Sequence, residues 1–308
     1  MPLDPDIAAL VGVAPELPPF TAEMIPMIRQ GMAATGQALP RPEGVEVSDH
    51  DADGVAVRLY KAAGGVKAPP LLVFLHGGGF MLGDLETHDA MCRELCVRAG
   101  CAVLAVDYRL APEHPFPAGL DDCERAFAWA RREAGRLGCD ASRVALGGES
   151  AGSNLSAALT LRLRAKGEAQ PLFQLLVHPA TSLDMALPSM TAVAGPGLTP
   201  EYMAICRDLY VGPGGDFLQA EVSPYLAASH EGLAPAIVLT AECDPLRDDG
   251  EFYAGKLAAA GVEALVQRLH GLPHGFMFLP TSLPAVEASF VLIGELVRRY
   301  FSSVRLAA

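Results

Sequence analysis

From about residue 44 onward, short apolar runs alternate with longer amphipathic stretches, and that rhythm predicts strands alternating with helices. Five apolar runs, Leu71–Leu75, Cys101–Val106, Val144–Leu146, Leu172–Val177 and Ile237–Thr240, have the pattern of parallel strands buried on both faces. Ahead of them, Val45–His50 and Val55–Tyr60 flank Asp51–Gly54, which reads as a hairpin turn. Ala264–Leu269 supplies an eighth strand. Helices are predicted roughly over 85–99, 118–134, 151–166, 247–260 and 284–301. The chain reads as α/β.

Two regions break the alternation. Residues 1–42 are punctuated by proline and hold one amphipathic stretch, Thr21–Ala34, that sets Met24, Met27, Ile28 and Met32 near one face. Residues 180–225 are rich in Pro and Gly and carry Met185, Leu187, Met190, Tyr202, Met203 and Phe217. An insertion between the sixth and seventh strands, paired with an N-terminal helix, predicts a lid over the carboxyl edge of the sheet. The expected organisation is therefore a cap segment at 1–42, a first core part at 43–179, a cap insertion at 180–225 and a second core part at 226–308.

Composition narrows the function. The 308 residues are 51% hydrophobic and 19% charged, enough apolar material for a large core and too little charge for disorder. The net charge of −13 argues against a nucleic-acid partner, whose phosphates are read by clustered positive charge. No apolar run approaches the ~18 residues that span a bilayer. The first residues carry Asp4 and Asp6 where a signal peptide would carry Lys or Arg, so a cytoplasmic location is expected. Seven scattered cysteines do not read as a disulfide framework.

The chemistry concentrates in a few places. Gly148, Glu149, Ser150, Ala151 and Gly152 match Gly-x-Ser-x-Gly between a predicted strand and a predicted helix. A serine on so sharp a turn is strained, and the glycines remove side chains that would collide there. His76, Gly77, Gly78, Gly79 and Phe80 follow the third strand; consecutive glycines let bare N–H groups converge on one point. Gly78, Gly79 and Ala151 are thus candidate donors to an oxyanion. A serine nucleophile needs a base held by an acid, in the order Ser, acid, His along a sheet of this kind. Asp244 follows the seventh strand and His274 the eighth. Glu242, Asp248 and Asp249 compete as acids, the latter two reading as caps or decoration of the next helix. His178, after the sixth strand, reads as a packed histidine, and His270 as part of the last strand. His88, Cys92 and Cys96 recur every four residues on one helical face. With no fourth ligand evident they read as packing, so neither a metal nor an organic cofactor is expected.

These residues resemble the hormone-sensitive lipase-like branch of the α/β-hydrolases, which includes many bacterial carboxylesterases. The resemblance runs from about residue 40 to the end, on His76–Phe80, Asp107–Ala118, Gly148–Asn154, Asp244–Asp248 and His274–Phe276. It implies an eight-stranded, mostly parallel sheet flanked by helices and capped. It also implies Ser150 as nucleophile, His274 as base, Asp244 as its orienter, and Gly78, Gly79 and Ala151 as the oxyanion hole. Glu149 stands where the family commonly has Asp, Ser153 where Gly is frequent, and Leu176–Asp184 departs from the usual Tyr-Pro form. None of these departures is expected to touch the triad. The implied activity is hydrolysis of short- to medium-chain acyl esters through an acyl-enzyme, with a small-molecule ester as partner and the chain as a monomer or homodimer. The alternatives are an amide or acetyl-group hydrolase using the same triad, and a non-catalytic receptor on the same fold.

Overall fold

The eight strands and the five core helices form close to where the hydrophobic pattern places them. The structure, a computed structural model, describes residues 2–12, 21–193 and 198–303. Residues 13–20 and 194–197, which fall in the two expected cap segments, lie outside the described residues, as do Met1 and 304–308.

Eight strands form one sheet: β1 (Val45–Asp51), β2 (Ala56–Ala62), β3 (Leu71–Leu75), β4 (Ala102–Val106), β5 (Val144–Glu149), β6 (Gln174–Val177), β7 (Ala236–Cys243) and β8 (Ala264–Pro273), in the order β1-β2-β4-β3-β5-β6-β7-β8. The hairpin β1–β2 pairs Asp51 with Ala56, and β2 runs antiparallel to β4. All other neighbours are parallel. This is the α/β-hydrolase arrangement.

Nine α-helices are described: α1 (Pro5–Val11), α2 (Ile25–Ala38), α3 (Asp89–Ala99), α4 (Ala118–Glu133), α5 (Ala151–Ala165), α6 (Ser189–Ala192), α7 (Pro200–Val211), α8 (Arg247–Ala259) and α9 (Pro284–Ser303). The period-two alternation of the central strands divides the core between two layers. Leu71, Val73 and Leu75 of β3, with Ala102, Leu104 and Val106 of β4, pack under α4 and α5. Leu72 and Phe74, with Val103 and Ala105, face α3 and α9, where Leu95, Phe290 and Ile293 cover them. Both faces are dry, so these strands are apolar at every position.

The amphipathic stretch near the N-terminus differs from expectation. Helix α2 runs to Ala38, not Ala34, and its inward side is Ile25, Ile28, Met32 and Gly36. Met27 is 62% exposed, because it lies two residues from Ile25, on the far side of the helix. Ile28 and Met32 pack with Tyr202 and Leu209 of α7 over Met81 and Leu82. Arg29 fastens this helix down: its guanidinium donates to Met81 O (2.8 Å) and Ala111 O (2.9 Å) and forks onto Glu113.

All seven cysteines are buried thiols. Among the described residues no helix is long and apolar enough to cross a membrane.

Candidate active site

The site is built at the carboxyl ends of β5, β6, β7 and β8. Strand β5 turns into α5 at Ser150, whose φ of 52° and ψ of −118° are forced by the turn. Such a conformation costs a non-glycine residue on the order of 1–3 kcal/mol and persists only when its surroundings over-determine it. They do here. A Cβ on Gly152 would lie 1.9 Å from Leu75 O, and one on Gly148 would lie 2.4 Å from the same oxygen. Glycine at both positions lets β3 approach the turn. Ser150 N donates to Val177 O (2.9 Å), and the Ser153 hydroxyl lies 2.7 Å from Gly148 O and 3.1 Å from Val177 O.

The acid and the histidine meet through strand register. Cys243 pairs with Pro273 across β7 and β8, beyond a bulge at Ala241–Cys243, so the next residue on each strand, Asp244 and His274, stand side by side. Asp244 Oδ2 is 2.8 Å from His274 Nδ1, and its other oxygen accepts from Leu246 N at 2.8 Å. With Nδ1 donating to a carboxylate, Nε2 is left as an acceptor, and it lies 2.9 Å from Ser150 Oγ. Asp244 is fully buried, while His274 keeps an edge toward the pocket. Burial pushes the His274 pKa down, but the charge and hydrogen bond of Asp244, with the charge of Glu149, outweigh it and hold it above the ordinary value.

The glycine loop lies beside this chain of groups. Gly78 and Gly79 both have positive φ and line one cavity of about 250 Å³ with Ser150, His274, Met32, Leu82, Glu149, Leu198, Tyr202, Met203, Gly275 and Phe278. Ala151 opens α5, where the first N–H groups lack an intrahelical acceptor. His76 is buried behind the loop, stacked on Tyr108 at 4.2 Å, and burial together with the field of His88 takes its pKa down to about 3. Tyr108 OH donates to His76 O (2.6 Å) and Ala111 N to Phe80 O (3.0 Å), so part of the 107–118 segment braces the loop.

Two residues carry more than the sequence signalled. Glu149 is buried between the glycine loop and three histidines. Its Oε1 accepts from Gly77 N at 2.5 Å and lies 3.2 Å from His88 Nε2. A Cβ on Gly77 would lie 2.0 Å from that oxygen. Burial alone would raise the Glu149 pKa, but the His88 hydrogen bond and the fields of His178, His88 and His274 reverse this and bring it to about 2. His178 is itself pressed down to about 4 by burial and by His274. At neutral pH, therefore, the His88 contact and the Gly77 N–H keep Glu149 ionised. His178 corrects the expectation that the departures from the family pattern stay clear of the expected triad: its ring stands 4.4 Å from that of His274.

The competing residues go elsewhere. Glu242 binds Gly271 N (2.8 Å) and the exposed His270 of β8 (3.1 Å). Asp248 and Asp249 are not surface decoration of α8; they are buried and accept from Ser189 N (2.9 Å) and Ser182 N (2.6 Å), pinning the start of the 180–225 segment. Burial holds the Asp249 carboxyl well above its usual range. His88 precedes α3 and pairs with Glu149, so it does not gather with Cys92 and Cys96; the triplet of possible ligands that does form is His178, Asp244 and His274.

A strained serine on a β5–α5 turn, followed along the sheet by an acid after β7 and a histidine after β8, is the layout of an α/β-hydrolase. The family profile described as "alpha/beta hydrolase fold" matches residues 72–278. The chain belongs to this family, in its hormone-sensitive lipase-like branch. It is 43% identical to the carboxylic ester hydrolase LipN of Mycobacterium tuberculosis over 82% of this chain and 70% of that one. It is 35% identical to an arylesterase of Saccharolobus solfataricus over 98% and 100% of the two chains. Among solved structures, the hyperthermophilic esterase of the archaeon Pyrobaculum calidifontis superposes with a TM-score of 0.87 at 34% identity, over 97% of this chain and 99% of that one.

Proposed function

We propose that this protein is a serine carboxylesterase acting on short- to medium-chain acyl esters. Its class, a carboxylic ester hydrolase, is carried by its relatives; the route is supported by the unbroken line Ser150–His274–Asp244, at 2.9 Å and 2.8 Å. Ser150 Oγ attacks the ester carbonyl as its proton passes to His274 Nε2. Asp244 holds the imidazole in the required tautomer and stabilises the imidazolium that forms. The tetrahedral oxyanion takes N–H donors from Gly78, Gly79 and Ala151, each worth roughly 3–4 kcal/mol at such a position. His274 then protonates the leaving alcohol, and water activated by the same imidazole releases the acid. No step needs a metal or an organic cofactor.

Helix α2 and the described part of the insertion around α7 stand over the serine. Met32, Leu198, Tyr202 and Met203 supply apolar wall, while Glu149 is the pocket's ionised group. That lining favours a neutral acyl chain of limited length. The test is Ser150→Ala, which is expected to abolish hydrolysis of a short p-nitrophenyl ester and labelling by an organophosphate while the circular dichroism stays unchanged. Labelling or turnover retained in the variant would remove Ser150 from the mechanism. Comparing one acyl group on an alcohol and on an amine separates esterase from amidase.

A further inference from the structure

His178 touches the triad, yet hydrolysis leaves it without a task. Glu149 pairs with Val177 across β5 and β6, so His178 follows directly beside Ser150. Its ring meets His274 edge-on, at 61°. It is wholly buried, and neither ring nitrogen has a hydrogen-bond partner among the described residues; Glu149 Oε2 is 3.6 Å from Nε2. Leaving a buried polar group unpaired costs about 1–3 kcal/mol, which an apolar ring would avoid.

One donor atom from each of His178, Asp244 and His274 lies within 4.8 Å of the other two. We propose that these three residues form a binding site for a zinc-class divalent cation that reversibly switches the enzyme off. The inference rests on the reading of His274 and Asp244 as triad members. Two imidazoles and a carboxylate suit Zn²⁺, whereas Mg²⁺ and Ca²⁺ prefer shells of oxygen alone. Bonds of about 2.1 Å in a tetrahedral arrangement set donors roughly 3.4 Å apart, so the cluster must tighten. Turning the His178 ring, whose nitrogens hold no hydrogen bond, would supply that movement by shifting its packing against His274 and Phe276. His274 has an edge in the pocket, so an ion entering there meets it first.

The switch follows from tautomer chemistry. A neutral imidazole has one lone-pair nitrogen and one N–H. When the Nδ1 lone pair of His274 binds the cation, the ring hydrogen moves from Nδ1 to Nε2, and Asp244 exchanges its hydrogen bond for a bond to the metal. Nε2 then donates and cannot accept the Ser150 proton. No proton is gained or lost, and the ion leaves unchanged.

The test uses the full chain, stripped with EDTA and titrated with ZnCl₂, with occupancy read by competition against a chromophoric chelator and activity on a short p-nitrophenyl ester. One Zn²⁺ per chain, a rate that falls in step with occupancy, and recovery on adding EDTA are expected. His178→Phe and His178→Tyr, each measured against its own uninhibited rate, should raise the inhibition constant at least about tenfold, since losing even a supporting partner of a metal ligand costs that much. Ser150→Ala should bind Zn²⁺ as the parent does. Persistent turnover in that variant would sink the serine mechanism without touching the binding result. Co²⁺ reads the site without substitution at His178: visible bands of a four-coordinate nitrogen and oxygen site are expected. A thiolate charge-transfer band, full occupancy with undiminished rate, or an unchanged inhibition constant in a folded His178 variant would each overturn the proposal.

Discussion

Replacing Glu149 by Gln removes a buried charge while keeping the shape of the side chain. In the parent, Glu149 is buried, accepts from Gly77 N at 2.5 Å and contacts His88 Nε2 at 3.2 Å. Hydrogen bonds to ionised groups contribute about 1.5–3 kcal/mol and neutral ones about half that, so the glycine loop loses on the order of 1–2 kcal/mol of positioning. The His274 imidazolium also loses one of the two carboxylates that hold its pKa up. If ~1.4 kcal/mol of this is felt in the transition state, kcat falls about tenfold with KM little changed. The pH profile separates charge from shape. On the proposed mechanism His274 must be neutral to accept the serine proton, so kcat/KM should fall as pH drops through the pKa of the free enzyme, and in the parent that limb should lie above the ~6.5 of free histidine. In Glu149→Gln it moves to lower pH; in Glu149→Asp, which keeps the charge on a shorter arm, it stays while kcat falls. The assay is initial rates on a short p-nitrophenyl ester over about pH 5–9, with active sites counted by organophosphate titration. A variant with parental kcat and an unmoved limb would refute the reasoning.

The acid and the pocket carry further expected outcomes. Asp244→Asn should lower kcat by several orders of magnitude, with ~10⁴ the precedent from another triad enzyme, and Glu242→Gln should be mild because Glu242 binds His270 and Gly271 N rather than His274; the reverse ranking would move the acid to Glu242. Across p-nitrophenyl esters of increasing chain length, kcat/KM should rise by up to about fifteenfold in two carbons, ~0.8 kcal/mol per buried methylene, and fall once a chain of about two to eight carbons fills the cavity. Met203→Ala should shift that optimum to longer chains, and an unmoved optimum would show that α7 does not bound the site.

Much of the architecture is written locally. Strands β3 and β4 are apolar at every position because both faces of the sheet are covered, and that pattern is visible in five residues at a time. Gly148, Ser150 and Gly152 are equally legible, because the sterics of one turn dictate glycine around a strained serine. The order of Ser150, Asp244 and His274 along the chain follows from strand sequence alone. What the chain does not display is contact across strands. Asp244 meets His274 through the register of Cys243 against Pro273 beyond a bulge, and a one-residue slip would part them. Glu149 meets Gly77, and His178 meets His274, only because β3, β5, β6 and β8 end at one edge. The inward face of α2 excludes Met27 for a related reason: a helix with apolar residues on several sides is oriented by what it packs against, here Met81, Leu82 and α7. Backbone preference and periodicity act over a few residues and can be read from them, whereas the pairing of buried charges is decided by distances that exist only once the sheet is assembled.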